Sequence, residues 1–335
     1  MAFQLPADCL NEIIEYLEED RISLSSCLLV NRLWCTVAVR ILWRNVWSIQ
    51  YHSNPKQRHA PLSILSTLIA CLPNESKNFL NINEISIPTP TSNLSLFNYT
   101  SFIKVLWFNR IESTIEDALI NLQINTSNNK YLLLQELLKE FMNQISSLKI
   151  LKYYLNYPKT SQNIPFVSFA GAKDCLTNLL EFQCEPSTYP KHIYQLSQIC
   201  HNIQTLSIIL CYDNVSNGLK DLISSQNSLK SLGLCIYNDS LLKDIIPVLS
   251  KHHNILTRLH INVENVEGKD TTILSFISSF RNLQELIIFT SYVHNELQHM
   301  IFPNLQVFRF DDACNFSSHS KIFWKTMEEP LLIWL

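Results

Sequence analysis

One short pattern recurs along the second half of this chain and limits what it can fold into: Leu-x-x-Leu-x-Leu, with Ile, Phe, Tyr or Cys allowed at the Leu positions. It falls at Leu148/Leu151/Tyr153, Leu179/Phe182/Cys184, Ile203/Leu206/Ile208, Leu229/Leu232/Leu234, Leu256/Leu259/Ile261, Leu283/Leu286/Ile288 and Leu305/Phe308/Phe310. Successive copies start 31, 24, 26, 27, 27 and 22 residues apart. An Asn stands one or two residues before most copies: Asn178, Asn202, Asn227, Asn254, Asn282 and Asn304. Within each copy apolar residues alternate, as in Leu206-Ile208-Leu210 and Leu259-Ile261-Val263, which predicts a strand. Segments at helical spacing lie between: Ile193 to Cys200, Leu219 to Ser225, Leu241 to Leu249 and Ile273 to Phe280.

Strand plus helix at this period resembles the leucine-rich repeats, and implies an α/β fold: a curved solenoid with parallel strands lining its concave face. The Asn or Cys that the family places three residues after the last Leu is matched by Cys211, but not by Tyr237, Glu264 or Ser291. An interior ladder of hydrogen bonds built on those positions is therefore not expected throughout. Alternation sends the intervening side chains to the concave face, among them Arg258, His260, Glu285, Ile287, Phe289 and Arg309, which are the candidate target-binding residues. Ile287 and Phe289 mark either a protein-binding patch or residues beneath a covering helix or loop.

The N-terminus reads differently. Pro6 suits the first turn of a helix, and Leu10, Ile13, Ile14 and Leu17 follow at helical spacing. A second short helix is predicted from Ile22 to Leu29. Asn31 is placed to cap a third, along which Trp34, Ala38, Ile41 and Leu42 repeat. The string Leu5-Pro6, Leu10, Ile13, Ile14, Leu17, then Val30-Asn31-Arg32-Leu33-Trp34, then Leu42-Trp43 resembles the F-box. The resemblance spans about 43 residues. It implies binding of the adaptor Skp1 through Leu5, Pro6, Leu10, Ile13, Ile14, Leu17, Val30 and Trp34. So small a three-helix piece buries little surface of its own and calls for a partner or a neighbouring domain.

The organisation expected is an F-box-like module at 1–48, linker helices and degenerate early repeats at 49–145, and leucine-rich repeats at 146–335. In the middle, LSILSTLIACL, FNYTSFIKVLWF and YLLLQELLKEFMNQI read as helices, with a loop from Pro88 to Ser95. The apolar run Pro330 to Leu335 is unlike the polar cap of a solenoid and predicts further repeats beyond it.

Composition narrows the function. A net charge of −3, with basic residues scattered along the chain, gives no reason to expect nucleic acid. Ten cysteines show neither CxxC nor zinc-site spacing and read as reduced, buried thiols of an intracellular, cytoplasmic or nuclear protein. The first residues lack a signal-peptide pattern, and no apolar stretch is long enough to span a membrane. Only four glycines occur, too far apart for a phosphate-cradling loop. Cys200-His201, His252-His253 and Asp311-Asp312 read as capping, surface or core residues: Cys and His adjacent on a helix do not face each other, so Cys200-His201 is no ready dyad, and no further acidic ligands lie near Asp311-Asp312 in sequence. A hydrolase would need Cys200 or Cys211 beside a histidine in an open cleft.

The resemblances together imply a substrate-recognition subunit of a Skp1–cullin–RING ubiquitin ligase. Such a subunit tethers an unknown target protein, and supplies no catalytic group and no cofactor. The chain is similar in style to an expanded fungal family of F-box and leucine-rich-repeat proteins. The alternative is a repeat scaffold with no ubiquitin role, its N-terminal helices serving as a cap.

Overall fold

The computed structural model describes residues 5–48, 60–89, 95–124, 126–154, 164–186, 189–210, 215–237, 240–263, 276–289 and 301–311. The chain divides into two compact units, 1–179 and 180–335.

Unit one opens with α1 (Ala7–Glu15), α2 (Arg21–Cys27) and α3 (Arg32–Leu42). Each of the last two starts where a side chain takes an orphan amide. Asp20 accepts from the Ser23 N–H at 3.1 Å, and Asn31 from the Trp34 N–H at 3.0 Å. The three helices close on Leu10, Ile14, Leu24, Cys27, Val37, Ala38 and Ile41, with Leu17, Leu28, Leu33, Trp34 and Leu42 packed around them. Then follow α4 (Ala60–Cys71), α5 (Asn74–Ile82), α6 (Tyr99–Phe102), β1 (Val105–Trp107), α7 (Phe108–Asn121), α8 (Thr126–Gln144), β2 (Ile150–Tyr153) and α9 (Ala172–Leu176).

The segment FNYTSFIKVLWF is not one helix. It divides into α6, β1 and the first residue of α7, because Val105, Leu106 and Trp107 pair in parallel with Ile150, Leu151 and Lys152. A long-range ladder overrides a local helical period here. The repeat copy Leu148/Leu151/Tyr153 is buried in this unit, ahead of the boundary at 179. Gly171 precedes α9 at φ +77°, where a Cβ would run into the Met142 carbonyl.

Unit two contains β3 (Glu181–Cys184), α10 (Pro190–Ser197), β4 (Thr205–Leu210), α11 (Asn217–Ser224), β5 (Ser231–Ile236), α12 (Ser240–Leu249), β6 (Arg258–Val263), β7 (Glu285–Phe289) and β8 (Val307–Asp311). Each strand from β3 pairs in parallel with the next in sequence order. α10 packs against α11 and α11 against α12, side by side, as crossovers of one hand between parallel strands would set them. Leu206, Leu232, Leu259 and Leu286 form one fully buried row beneath them, and Ile208, Leu234, Ile261 and Ile288 a second.

The repeats are also joined at their turns. The Gln204, Lys230, Thr257 and Gln284 carbonyls each accept from two successive N–H groups of the next repeat. Buried Gln226 donates to the Cys200 and Leu222 carbonyls, each at 2.7 Å, and accepts from the Ile203 N–H at 2.9 Å. One repeat later, His252 Nε2 lies 2.9 Å from the Ile223 carbonyl. Asn282 donates to the Asn254 carbonyl at 2.6 Å. Of the family's ladder positions, Cys211, Glu264 and Ser291 lie outside the described residues, as does the run Pro330 to Leu335.

Candidate functional site

Two surfaces carry the residues singled out by sequence. The first is α1. Leu10 and Ile14 are fully buried and Leu17 is half-buried, spaced four and three residues apart on the face turned to α2 and α3. Their buried positions make them core, so they are not open to a partner. Ile13 lies about 100° around the axis from Ile14, and there it is 49% exposed. With Pro6, Cys9 and Tyr16 it makes a second stripe at spacings of three, four and three, all exposed. Leu5 is half exposed just ahead of it.

Val30 is also exposed, together with Ile22 and Leu29 of the α2 region, at 82% and 88%. Trp34 is half-buried against the three-helix core. Of the residues expected to dock an adaptor, Leu5, Pro6, Ile13 and Val30 are therefore accessible, while Leu10 and Ile14 are not. Cys9, Tyr16, Ile22 and Leu29 were missed, although the second stripe at helical spacing is visible in the sequence once the first is set aside.

The module is anchored rather than loosely attached. Arg44, just past α3, directs both guanidinium arms at the Glu15 carboxylate of α1, with Glu18 at 3.7 Å. Hydrogen bonding from Arg44 holds the Glu15 carboxyl below its ordinary pKa, and Glu15 in turn raises that of Arg44. The Arg44 carbonyl accepts from the N–H groups of Lys104 and Val105 at 2.9 and 3.1 Å, so the module also starts the ladder that β1 continues.

The second surface is the sheet face of unit two turned away from the helices. Its register sets Thr205, Ser231, Arg258, Glu285 and Val307 in one row, and Ser207, Gly233, His260, Ile287 and Arg309 in the next. A third row runs Ile209, Cys235, Asn262, Phe289 and Asp311. Ile287 and Phe289, one of whose two readings was an exposed patch, are 0% and 3% exposed. They pack with Cys235, Ile209 and Tyr237, so neither is an open patch. All six residues of β5 are buried, as in parallel strands shielded on both faces.

Arg258 is exposed. Its neighbours in the row and the next are engaged: His260, nearly buried, lies 2.7 Å from Glu285 Oε1. That bond, ahead of the opposing effect of burial, lowers the Glu285 pKa. Arg309 is exposed and rests 5.9 Å from the Phe289 ring centroid.

Cys200 is fully buried and its neighbour His201 is exposed, and Cys211 lies outside the described residues. Burial raises the Cys184 thiol well above its usual range and lowers His192 to about 4. Among the described residues no group of three His, Cys, Asp or Glu is arranged to hold a metal, and no helix is long and apolar enough to cross a membrane.

No protein-family model matches the chain, and no curated protein is significantly similar to it.

Proposed function

We propose that this chain is a non-catalytic recruitment subunit of a Skp1–cullin–RING ubiquitin ligase, working in the cytoplasm or nucleus. Residues 5–48 act as an F-box that docks a Skp1-like adaptor. The strand–helix repeats form a curved leucine-rich-repeat solenoid that holds a target protein. The observation that carries this reading is the apolar stripe Pro6, Cys9, Ile13 and Tyr16, left in solvent on a helix whose adjoining face already fills its own core. Exposed apolar groups gathered on one helix face mark a contact surface. Tethering raises the target's effective concentration near the ubiquitin-loaded enzyme and requires no catalytic group from this chain.

The test is co-purification of the intact protein with Skp1, wild type against Leu5→Ala with Pro6→Ala. The reading expects binding by the wild type and its loss in the variant at unchanged thermal stability. No binding by the wild type overturns it.

A second reading, a scaffold whose N-terminal helices only cap the repeats, is favoured by the Arg44 carbonyl that begins the β1 ladder. Covering an open sheet edge is what a cap does. Under that reading Skp1 is not bound, and deleting residues 1–48 unfolds β1 and β2.

A further inference from the structure

The basic residues look scattered along the chain, but folding gathers four of them. Arg44, Lys104 and Lys149 occupy consecutive rungs of one parallel ladder. The Arg44 carbonyl accepts from the Lys104 N–H at 2.9 Å, and the Lys104 carbonyl from the Lys149 N–H at 2.9 Å. Neighbouring rungs are about 4.8 Å apart. Arg40, exposed one helical turn before Arg44, adds its charge to those acting on Lys104.

Their counter-charges are few. Glu15 and Glu18 both face Arg44, so four cations against two carboxylates leave an excess of two positive charges. Among the described residues Lys104, Lys149 and Arg40 have no ion-pair partner. The Cys175 thiol beside Lys104 is pushed up to about 12 by burial and stays neutral. Burial, and then Lys149, Arg44 and Arg40, lower the Lys104 pKa. Like charges on adjacent rungs cost stability, and a dianion placed among them reverses that cost.

We infer that Arg40, Lys104 and Lys149, with Arg44 behind them, form a site for a compact phosphate dianion, either free phosphate or a phosphate monoester. A phosphate monoester carries roughly −1.5 to −2 charges near neutral pH, which matches the excess. None of its residues belongs to the exposed α1 stripe, so it does not depend on the adaptor reading.

The probe is inorganic phosphate, compared with chloride at matched ionic strength by thermal melting and titration calorimetry on the full chain. Phosphate is expected to raise Tm above the chloride value. Lys104→Gln with Lys149→Gln is expected to weaken its binding at least tenfold and to melt in chloride no lower than wild type. Should the double variant fail to fold, the exposed Arg40→Gln is read instead, with about a threefold loss. A blocked phosphoserine amide is the second ligand: tighter binding than phosphate assigns the site to a phosphorylated side chain, and equal or weaker binding to free phosphate. No gain over chloride overturns the inference, as does equal binding by wild type and variants. A chloride Tm of the double variant below wild type, with no phosphate effect, overturns the inference and assigns the lysines a purely structural role.

Discussion

Arg44 joins two parts of unit one: its guanidinium holds the Glu15 carboxylate with both arms, and its carbonyl accepts from Lys104 and Val105. The side chain fixes α1 against the end of α3, and the backbone starts the parallel ladder. The same residue therefore sets the place of the exposed α1 stripe relative to β1.

Removing this pair has a pH signature. The folded Glu15 pKa is depressed, first by the hydrogen bond from Arg44. Its contribution is present above the unfolded carboxylate pKa and is lost as pH falls through the folded value. Both partners are partly solvated, so the pair contributes no more than about 1 kcal/mol. Arg44→Met should lower Tm by a few degrees near neutral pH and flatten the acid limb of the stability curve. Denaturant midpoints from pH 7 to 3 check this; parallel curves for variant and wild type would contradict it.

The two faces of α1 are separable by adjacent substitutions. Ile14→Ala empties a fully buried position and should cost about 2–5 kcal/mol of stability. Ile13→Asp, at a half-exposed position, should leave the unfolding free energy within about 0.5 kcal/mol and, under the proposed adaptor role, abolish capture of Skp1. Urea titration and pull-down on the same preparations distinguish them.

Gln226 is predicted to be the costliest polar residue of the repeats. Gln226→Ala strands the Ile203 N–H and deprives the Cys200 and Leu222 carbonyls, all at buried positions. Each unsatisfied buried group costs about 1–3 kcal/mol. A loss of about 3 kcal/mol or more by chemical denaturation is expected, and a loss under 1 kcal/mol would show that the bridge is dispensable.

His252 occupies the corresponding place one repeat on, with a group that titrates. Burial lowers its pKa, ahead of the raising effect of the Ile223 carbonyl. For a histidine depressed in the folded state, the unfolded chain binds the extra proton. Stability is therefore full above the unfolded pKa of about 6.5 and declines as pH falls towards the folded value. His252→Gln keeps a donor, as Gln226 does, and removes the titration. The variant should lose less stability than wild type between pH 7 and 5, measured as the difference in denaturant midpoints.

Gly171→Ala should destabilise unit one by about 2 kcal/mol or more. The position combines a left-handed φ with a backbone that leaves no room for a methyl group. Thermal melting of the full chain provides the check.

Sequence alone determined the local pieces whose physics is local. A period near 3.6 with Asn31 ahead of it fixed α3 and its cap, and alternation of apolar residues fixed β4 through β8. What it left undecided needed neighbours distant in the chain. Leu10, Ile13, Ile14 and Leu17 are equally apolar, and only packing against Leu24, Val37 and Ile41 decides that Ile13 stays outside. Ile287 and Phe289 have the parity of a solvent face, yet they are buried in a cluster with Cys235 and Tyr237. β1 is a strand because β2 pairs with it, not because three residues can choose. The basic cluster arises where a ladder brings residues 44, 104 and 149 to one level, since charge along a chain does not say which charges the fold sets side by side.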